Sequence, residues 1–349
     1  MKAVKIDKKD WAPGLDKLFA NYRLFGPVKG DQFHNFKALD KGELPDFNFL
    51  NTPLSPKSII YPQSELMFKY TLDEKQKDHH IMQEIDKDYA PRAVIGIRPC
   101  DAASFLLVRK NFDTPEYKDP YWIRPYEATT FVGLACSDPC STCFCTTAGC
   151  GPFHADGLDV LLVDVGDHFL ARAVTSKGED FLKAAGWTVE VDVRQIDDLK
   201  KTAESKIGSV AATDKLKSKI TAELYEGPFW EEVAFACINC GICTYVCPTC
   251  WCFDIQDETY RDSGVRMRNW DSCMYPLFTL HASGHNPRGT KLQRVRQRFM
   301  HKLKYYVDRY DTGIQCVGCG RCIRSCPVNI DIRKVCALMN AYEPALDEE

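Results

Sequence analysis

Toward its C-terminal end this chain carries the same cysteine pattern twice. Cys237-Ile-Asn-Cys240-Gly-Ile-Cys243-Thr-Tyr-Val-Cys247-Pro248 and Cys316-Val-Gly-Cys319-Gly-Arg-Cys322-Ile-Arg-Ser-Cys326-Pro327 are both C-x2-C-x2-C-x3-C-P runs. In such a run three closely spaced thiols grip three corners of one iron–sulfur cubane, and the fourth, starting a new segment, is aimed at a second cluster. The spacing therefore predicts two [4Fe–4S] clusters with crossed ligands: Cys237, Cys240, Cys243 with Cys326, and Cys316, Cys319, Cys322 with Cys247. Gly241 and Gly320 suit a backbone that turns closely around a cluster, and the prolines open the exit segments without needing an N–H. Structural zinc takes its cysteines as separated C-x2-C pairs, a poorer match to this pattern. A chain built this way moves electrons.

The 18 cysteines do not describe a secreted disulfide scaffold, because the chain has 349 residues and begins Met-Lys-Ala-Val-Lys-Ile-Asp with no apolar leader. No apolar run reaches membrane-spanning length. The expected compartment is a reducing cytoplasm, where thiols stay free to hold metal. A net charge of −3 excludes a generally basic nucleic-acid binder. The length allows two domains with ordinary cores.

The cysteines fall into two islands, Cys100 to Cys150 and Cys237 to Cys336. Between them, Leu158–Val165 and His168–Val174 read as strands joined at Gly166-Asp167, followed by a helix ended by Gly186 and a strand over 188–193. Residues 197–225 have helical spacing and stop at Gly227-Pro228. The expected organisation is an α/β N-terminal domain, 1–226, followed by an all-α two-cluster domain of the alpha-helical ferredoxin type, 227–349. The segment from Cys247 to Cys316 is far longer than a small βαβ ferredoxin allows, and it is expected to be largely helical. Leu292, Val295, Phe299, Leu303 and Tyr306 mark one apolar helix face within it. The acidic tail after Asn340 reads as frayed.

In the first island, Ala93–Ile97 and Thr130–Ala135 are buried-strand runs that end at Cys100 and Cys136. Carboxyl ends of parallel strands are where open α/β sheets build their sites. Asp101 is the expected N-cap of the following helix, and a thiol at a helix N-terminus favours thiolate. Cys140, Cys143, Cys145 and Cys150 follow in a Ser/Thr/Gly-rich loop. Cys100, Cys136, Cys143 and Cys145 are the candidate ligands of a third [4Fe–4S] cluster, with zinc or free thiols as the other readings. Cys250, Cys252 and Cys273 read as small buried hydrophobes, with alternative ligands or redox-active thiols as the second reading.

Several further motifs resemble one family. Leu54-Ser-Pro-Lys57 with Tyr61-Pro62 and Glu65, Arg98-Pro-Cys-Asp101, Thr142-Cys-Phe-Cys145, Cys247-Pro-Thr-Cys250, Trp270-Asp-Ser-Cys273, Gly284-His-Asn-Pro-Arg288 and the closing motif from Cys316 stand in the order found in these proteins. They are the iron–sulfur beta subunits of sulfhydrogenase-type nickel–iron hydrogenases, the corresponding iron–sulfur subunits of anaerobic sulfite reductases, and subunits of flavin oxidoreductases attached to heterodisulfide reductases. The resemblance implies a hetero-oligomeric electron relay. Its partners would be a flavoprotein subunit with FAD and NAD(P) and a catalytic hydrogenase, sulfite reductase or heterodisulfide reductase subunit. It also implies a metal role for Cys100, Cys136, Cys143 and Cys145. The sequence shows no G-x-G-x-x-G after a strand, no P-loop and no G-x-S-x-G. The competing functions are a reductase with substrate chemistry at an N-terminal cluster and a redox-sensing iron–sulfur protein. From Arg288 to Arg309, Lys and Arg at 288, 291, 294, 296, 298, 302, 304 and 309 face one acid, Asp308. The run reads as a solvated helix face, or as a docking surface for an acidic partner.

Overall fold

The computed structural model describes residues 2–192 and 194–344. Its strands are β1 (Lys2–Asp7), β2 (Arg23–Lys29), β3 (His34–Ala38), β4 (Ser64–Thr71), β5 (Gln83–Glu84), β6 (Arg92–Ile97), β7 (Thr129–Leu134), β8 (Val160–Asp164), β9 (His168–Ala173), β10 (Glu190–Asp192), β11 (Phe253–Tyr260) and β12 (Ser263–Trp270). Eight of them form one mixed sheet in the order β10-β1-β9-β8-β7-β6-β2-β3. Its centre, β2-β6-β7-β8, is parallel. The central strands alternate between two cores. Val94, Ile97, Phe131, Leu161 and Val163 face one with Phe105 and Trp122, while Ala93, Ile95, Val132, Leu134 and Leu162 face the other with Trp11, Leu15 and Phe181. Such continuous apolar strands are what a sheet covered on both faces requires. The expected strands around Gly166 and the helix ended by Gly186 are present, as β8, β9 and the helix Ser176–Ala185, whose Gly186 cap has φ 78°.

The C-terminal part is not the all-α domain the sequence suggests. Part of the segment between the two motifs is a β-hairpin, β11–β12, paired residue for residue from Phe253↔Trp270 to Tyr260↔Ser263. β12 then pairs with β4 of the N-terminal part, giving a second sheet, β11-β12-β4-β5. The physical cause lies in the alternation of Phe253 and Ile255 with Asp254 and Gln256, and of Val265 and Met267 with Arg266 and Arg268, a period of two rather than of a helix. β11 is an edge strand whose side chains are mostly exposed, and its acids discourage further pairing. The helical remainder is Lys291–Met300, one π-helical turn His301–Tyr305, and Tyr306–Tyr310. Its face of Val295, Phe299, Leu303 and Val307 packs on Trp230, Met339 and Cys336.

Two smaller expectations also change. The helix after β6 runs Pro99–Phe112 with Arg98 at the N-cap, so Asp101 lies inside its first turn, where it is fully buried. The expected division at 226/227 falls between two short helices, Thr221–Glu226 and Phe229–Phe235. The end of the acidic tail, 345–349, lies outside the described residues.

Candidate metal centres

The two cysteine motifs fold alike. Each ends its first loop at a left-handed glycine, Gly241 (φ 74°) or Gly320 (φ 70°), which caps a single helical turn, Ile242–Tyr245 or Arg321–Arg324. A Cβ on Gly320 would stand 2.3 Å from Thr142 Oγ1, so only glycine allows this approach. At equivalent positions, Asn239 (φ 55°) and Gly318 (φ 64°) turn their N–H groups back onto Cys237 Sγ (3.4 Å) and Cys316 Sγ (3.5 Å). Ile330 N–H donates to Cys326 Sγ at 3.3 Å. Donors aimed at sulfur are one of the means by which a protein sets the potential of an iron–sulfur group.

The thiols gather around three cavities. Cys237, Cys240, Cys243 and Cys326 line the first, with Cys322 on its wall. Cys247, Cys316, Cys319 and Cys322 line the second. Cys100, Cys136, Cys140, Cys143 and Cys145 line the third, together with Cys319. All twelve candidate ligands are thereby brought to a cavity. Cys140 joins them, while Cys150 packs beside Cys100 and Cys319 without lining the cavity. The third cavity follows from the sheet: Cys100 lies in the helix turn after β6, Cys136 two residues beyond β7, and β6 and β7 are parallel neighbours. It does not stand apart from the C-terminal pair. Phe144 N–H donates to Gly318 O (2.9 Å), and Cys319 is common to the second and third cavities. The three cavities therefore form a row, joined by Cys322 and then by Cys319.

Charge around the row identifies what the thiols suit. Lys57, Arg298 and Lys302 are buried, and among the described residues none makes an ion pair with a carboxylate. Arg298 Nε has no hydrogen-bond partner. Arg298 faces Cys243, Cys322, Cys250 and Cys247, and Lys302 faces Cys247, Cys250 and Cys316. For both, burial opposes the charge but the neighbouring thiols outweigh it and raise the pKa. Burial, reinforced by neighbouring thiols, pushes Cys316 and Cys100 well up and Cys322 and Cys145 to about 12, which would keep them neutral. Coordination to a metal reverses this by deprotonating the thiol outright. Buried cations without anions are costly. A thiolate-held iron–sulfur group, which is net anionic, answers both problems, so the residues present fit it. No group of three or more His, Cys, Asp or Glu among the described residues is arranged to hold a single metal ion.

The second and third cavities are clamped by a buried ion pair. Arg321, between Cys319 and Cys322, donates from Nη1 and Nη2 to Asp101 Oδ1 (2.6 Å) and Oδ2 (2.7 Å), and from Nε to Thr52 O (2.8 Å). Sequence reasoning did not foresee this pair or the burial of these cations. The expected solvated run buries Arg294, Arg296, Arg298, Lys302 and Lys304. Arg296 stacks on Tyr225 at 3.5 Å and Lys304 pairs with Asp308 at 2.7 Å, so much of this helix faces protein rather than water. The available signal was that Arg298 and Lys302 sit four residues apart, each directly before a member of the apolar stripe. His79 and His80 are exposed, and His285 accepts from His281 N–H through its carbonyl.

No helix among the described residues is long and apolar enough to cross a membrane. A family profile described as 4Fe-4S dicluster domain matches residues 236–330. The sulfhydrogenase 2 subunit beta of Pyrococcus furiosus is 30% identical over 348 residues, which span 96% of this chain and 97% of that protein. No solved structure matches.

Proposed function

Because this chain belongs to the family of sulfhydrogenase beta subunits, we propose that it is the electron relay of an anaerobic oxidoreductase complex. In that reading Cys237, Cys240, Cys243 and Cys326 hold one [4Fe–4S] cluster, and Cys247, Cys316, Cys319 and Cys322 a second. Cys100, Cys136, Cys143 and Cys145 hold a third. The clusters supply one-electron transfer. The protein's own residues bury them, place Arg298 and Lys302 against their charge, and aim the N–H groups of Asn239, Gly318 and Ile330 at sulfur. One end of the row would serve a flavoprotein subunit that handles NAD(P)H, and the other a catalytic subunit of hydrogenase, sulfite reductase or heterodisulfide reductase type.

The observation that carries this reading is the row itself: three thiol-lined cavities with shared walls, a path rather than a pocket. The third cavity has more thiols than a [4Fe–4S] cubane has irons, which favours a closed relay site over an open catalytic one. A Cys100→Ser variant of the anaerobically purified chain should lose about four irons and slow electron flow through the reconstituted complex. The signals of both C-terminal clusters should persist. Unchanged iron and acid-labile sulfide would remove the third cluster from the relay.

A further inference from the structure

Cys250, Cys252 and Cys273 lie outside both motifs and outside the N-terminal island, yet the hairpin brings them together. Cys250 and Cys252 flank Trp251 immediately before β11, and Cys273 follows β12. Asp271 N–H donates to Cys252 O (2.9 Å), which closes the hairpin base with Cys252 directly before β11 and Cys273 three residues beyond β12. Cys250 interacts chiefly with the thiol of Cys247 and also lies in the field of Cys252 and Cys273. The walls are fixed: Tyr61 Oη donates to Trp251 O (3.1 Å) and Trp270 Nε1 to Tyr61 O (3.0 Å).

A buried cation is built into this group. Lys57 donates to the carbonyls of Cys247 (3.0 Å) and Cys250 (2.9 Å), and its ammonium lies 4.1 Å from the centre of the Trp270 ring. The thiols facing it are those of Cys250, Cys247 and Cys252. Nearby Arg268, equally buried, has two carboxylates, Glu65 and Asp119, each at 2.7 Å. Lys57 has no such partner, and a pair of neutral thiols or a disulfide would not supply one. The donor pattern also repeats that of the third cavity: Cys250-Trp-Cys252 with a remote Cys273 parallels Cys143-Phe-Cys145 with remote Cys100 and Cys136.

We propose that Cys250, Cys252 and Cys273 hold an additional [4Fe–4S] cluster by three thiolates, with Lys57 as its charge partner and one iron free of protein thiolate. Cys247 is left to the second cavity, where it stands with Cys316, Cys319 and Cys322. A cubane core of charge +2 with three thiolates carries one net negative charge, which Lys57 matches. The unclaimed iron gives the site an exchangeable position that a relay does not need. The inference rests on the iron–sulfur reading of the chain but stands or falls separately from it.

The test uses the full-length chain purified without oxygen and counts iron and acid-labile sulfide. A Cys252→Ser/Cys273→Ser variant should lose about four irons and four sulfides relative to the parent while keeping the Mössbauer signals of the other clusters. Equal iron in variant and parent overturns the proposal and leaves the relay intact, whereas a parent without iron overturns the relay itself. If the double variant does not fold, Lys57→Met leaves every thiol in place. It should retain all iron and move the midpoint potential of one cluster negative in an EPR-monitored titration. No moving signal, or a Cys252–Cys273 disulfide in peptide maps of the anaerobic parent, overturns the proposal.

Discussion

Lys302 shows most directly how a single residue reports on a cofactor. Its ammonium donates to Thr249 Oγ1 (2.9 Å), which in turn donates to Gln315 O (2.9 Å), and the hydroxyl also lies 3.2 Å from Cys247 Sγ. A cation this deep, without a carboxylate, is strongly unfavourable unless an anion forms beside it. Such a charge favours the more negative, reduced state of a neighbouring cluster. Lys302→Met should therefore shift the midpoint of the cluster proposed at Cys316, Cys319 and Cys322 negative by on the order of 100 mV, with iron content unchanged. An EPR-monitored redox titration reads the shift, and an unmoved midpoint would deny Lys302 this role. The cysteine motifs themselves were legible in the sequence because their spacing matches that of an iron–sulfur ligand run. Lys302, Arg298 and Lys57 were not, because a charge can be interpreted only beside its partner, and here the partner is made of several distant segments.

Among the elements, the helix 291–310 was readable and the hairpin was not, for one physical reason. The helix buries a stripe, so Val295, Phe299 and Leu303 stand out at helical spacing. β11 buries almost nothing, so its alternation is carried by exposed, acidic residues and is easily taken for polar helix or loop. The parallel strands β6 and β7 were plain for the opposite reason, being buried on both faces. Where hairpin and helix meet, His301, in the π-helical turn, packs edge-on against Trp251 at 5.4 Å between ring centres. Burial, reinforced by Lys302 and Arg288, lowers its pKa to about 4. Above its ordinary value His301 is neutral in both folded and unfolded chains and contributes nothing to the pH dependence. As pH falls below about 6.5 the unfolded chain takes up the proton first, so stability drops until the folded state protonates near pH 4. The expected loss between pH 7 and pH 5 is about 2 kcal/mol, read as a shift of the urea midpoint under anaerobic conditions. His301→Gln should flatten that part of the profile, and an equally steep profile in the variant would assign the loss to other groups.

At the scale of the molecule, the two halves are joined through the candidate metal centres rather than by a simple linker. β4 of the N-terminal part completes the sheet of the C-terminal hairpin, and Gly318 and Gly320 of the last motif lie against Phe144, Cys145 and Thr142 of the first island. Cysteine spacing shows which residues can share a cluster, but not that cavities from opposite ends of the chain will share a wall. That depends on contacts such as Arg321 with Asp101, whose side chains are 1% and 0% exposed. Arg321 belongs to the motif of the second cavity and Asp101 follows Cys100 of the third, so the pair holds two candidate clusters in register. Asp101→Ala would leave a guanidinium buried with only Thr52 and Asn51 as partners. Breaking a buried pair from one side costs about 3–5 kcal/mol, and the variant's anaerobic thermal midpoint should fall accordingly. Arg321→Met/Asp101→Leu removes both charges and fills the space with apolar atoms, so it should recover much of the lost stability. Electron passage between the proposed second and third clusters tests the other half of the argument. If the pair acts only as a structural brace, the double variant should transfer electrons as the parent does. If its charge also tunes the adjacent clusters, transfer should stay slow despite the restored fold. A single-charge variant as stable as the parent would show that the two halves are held together by their sheet and loop contacts alone.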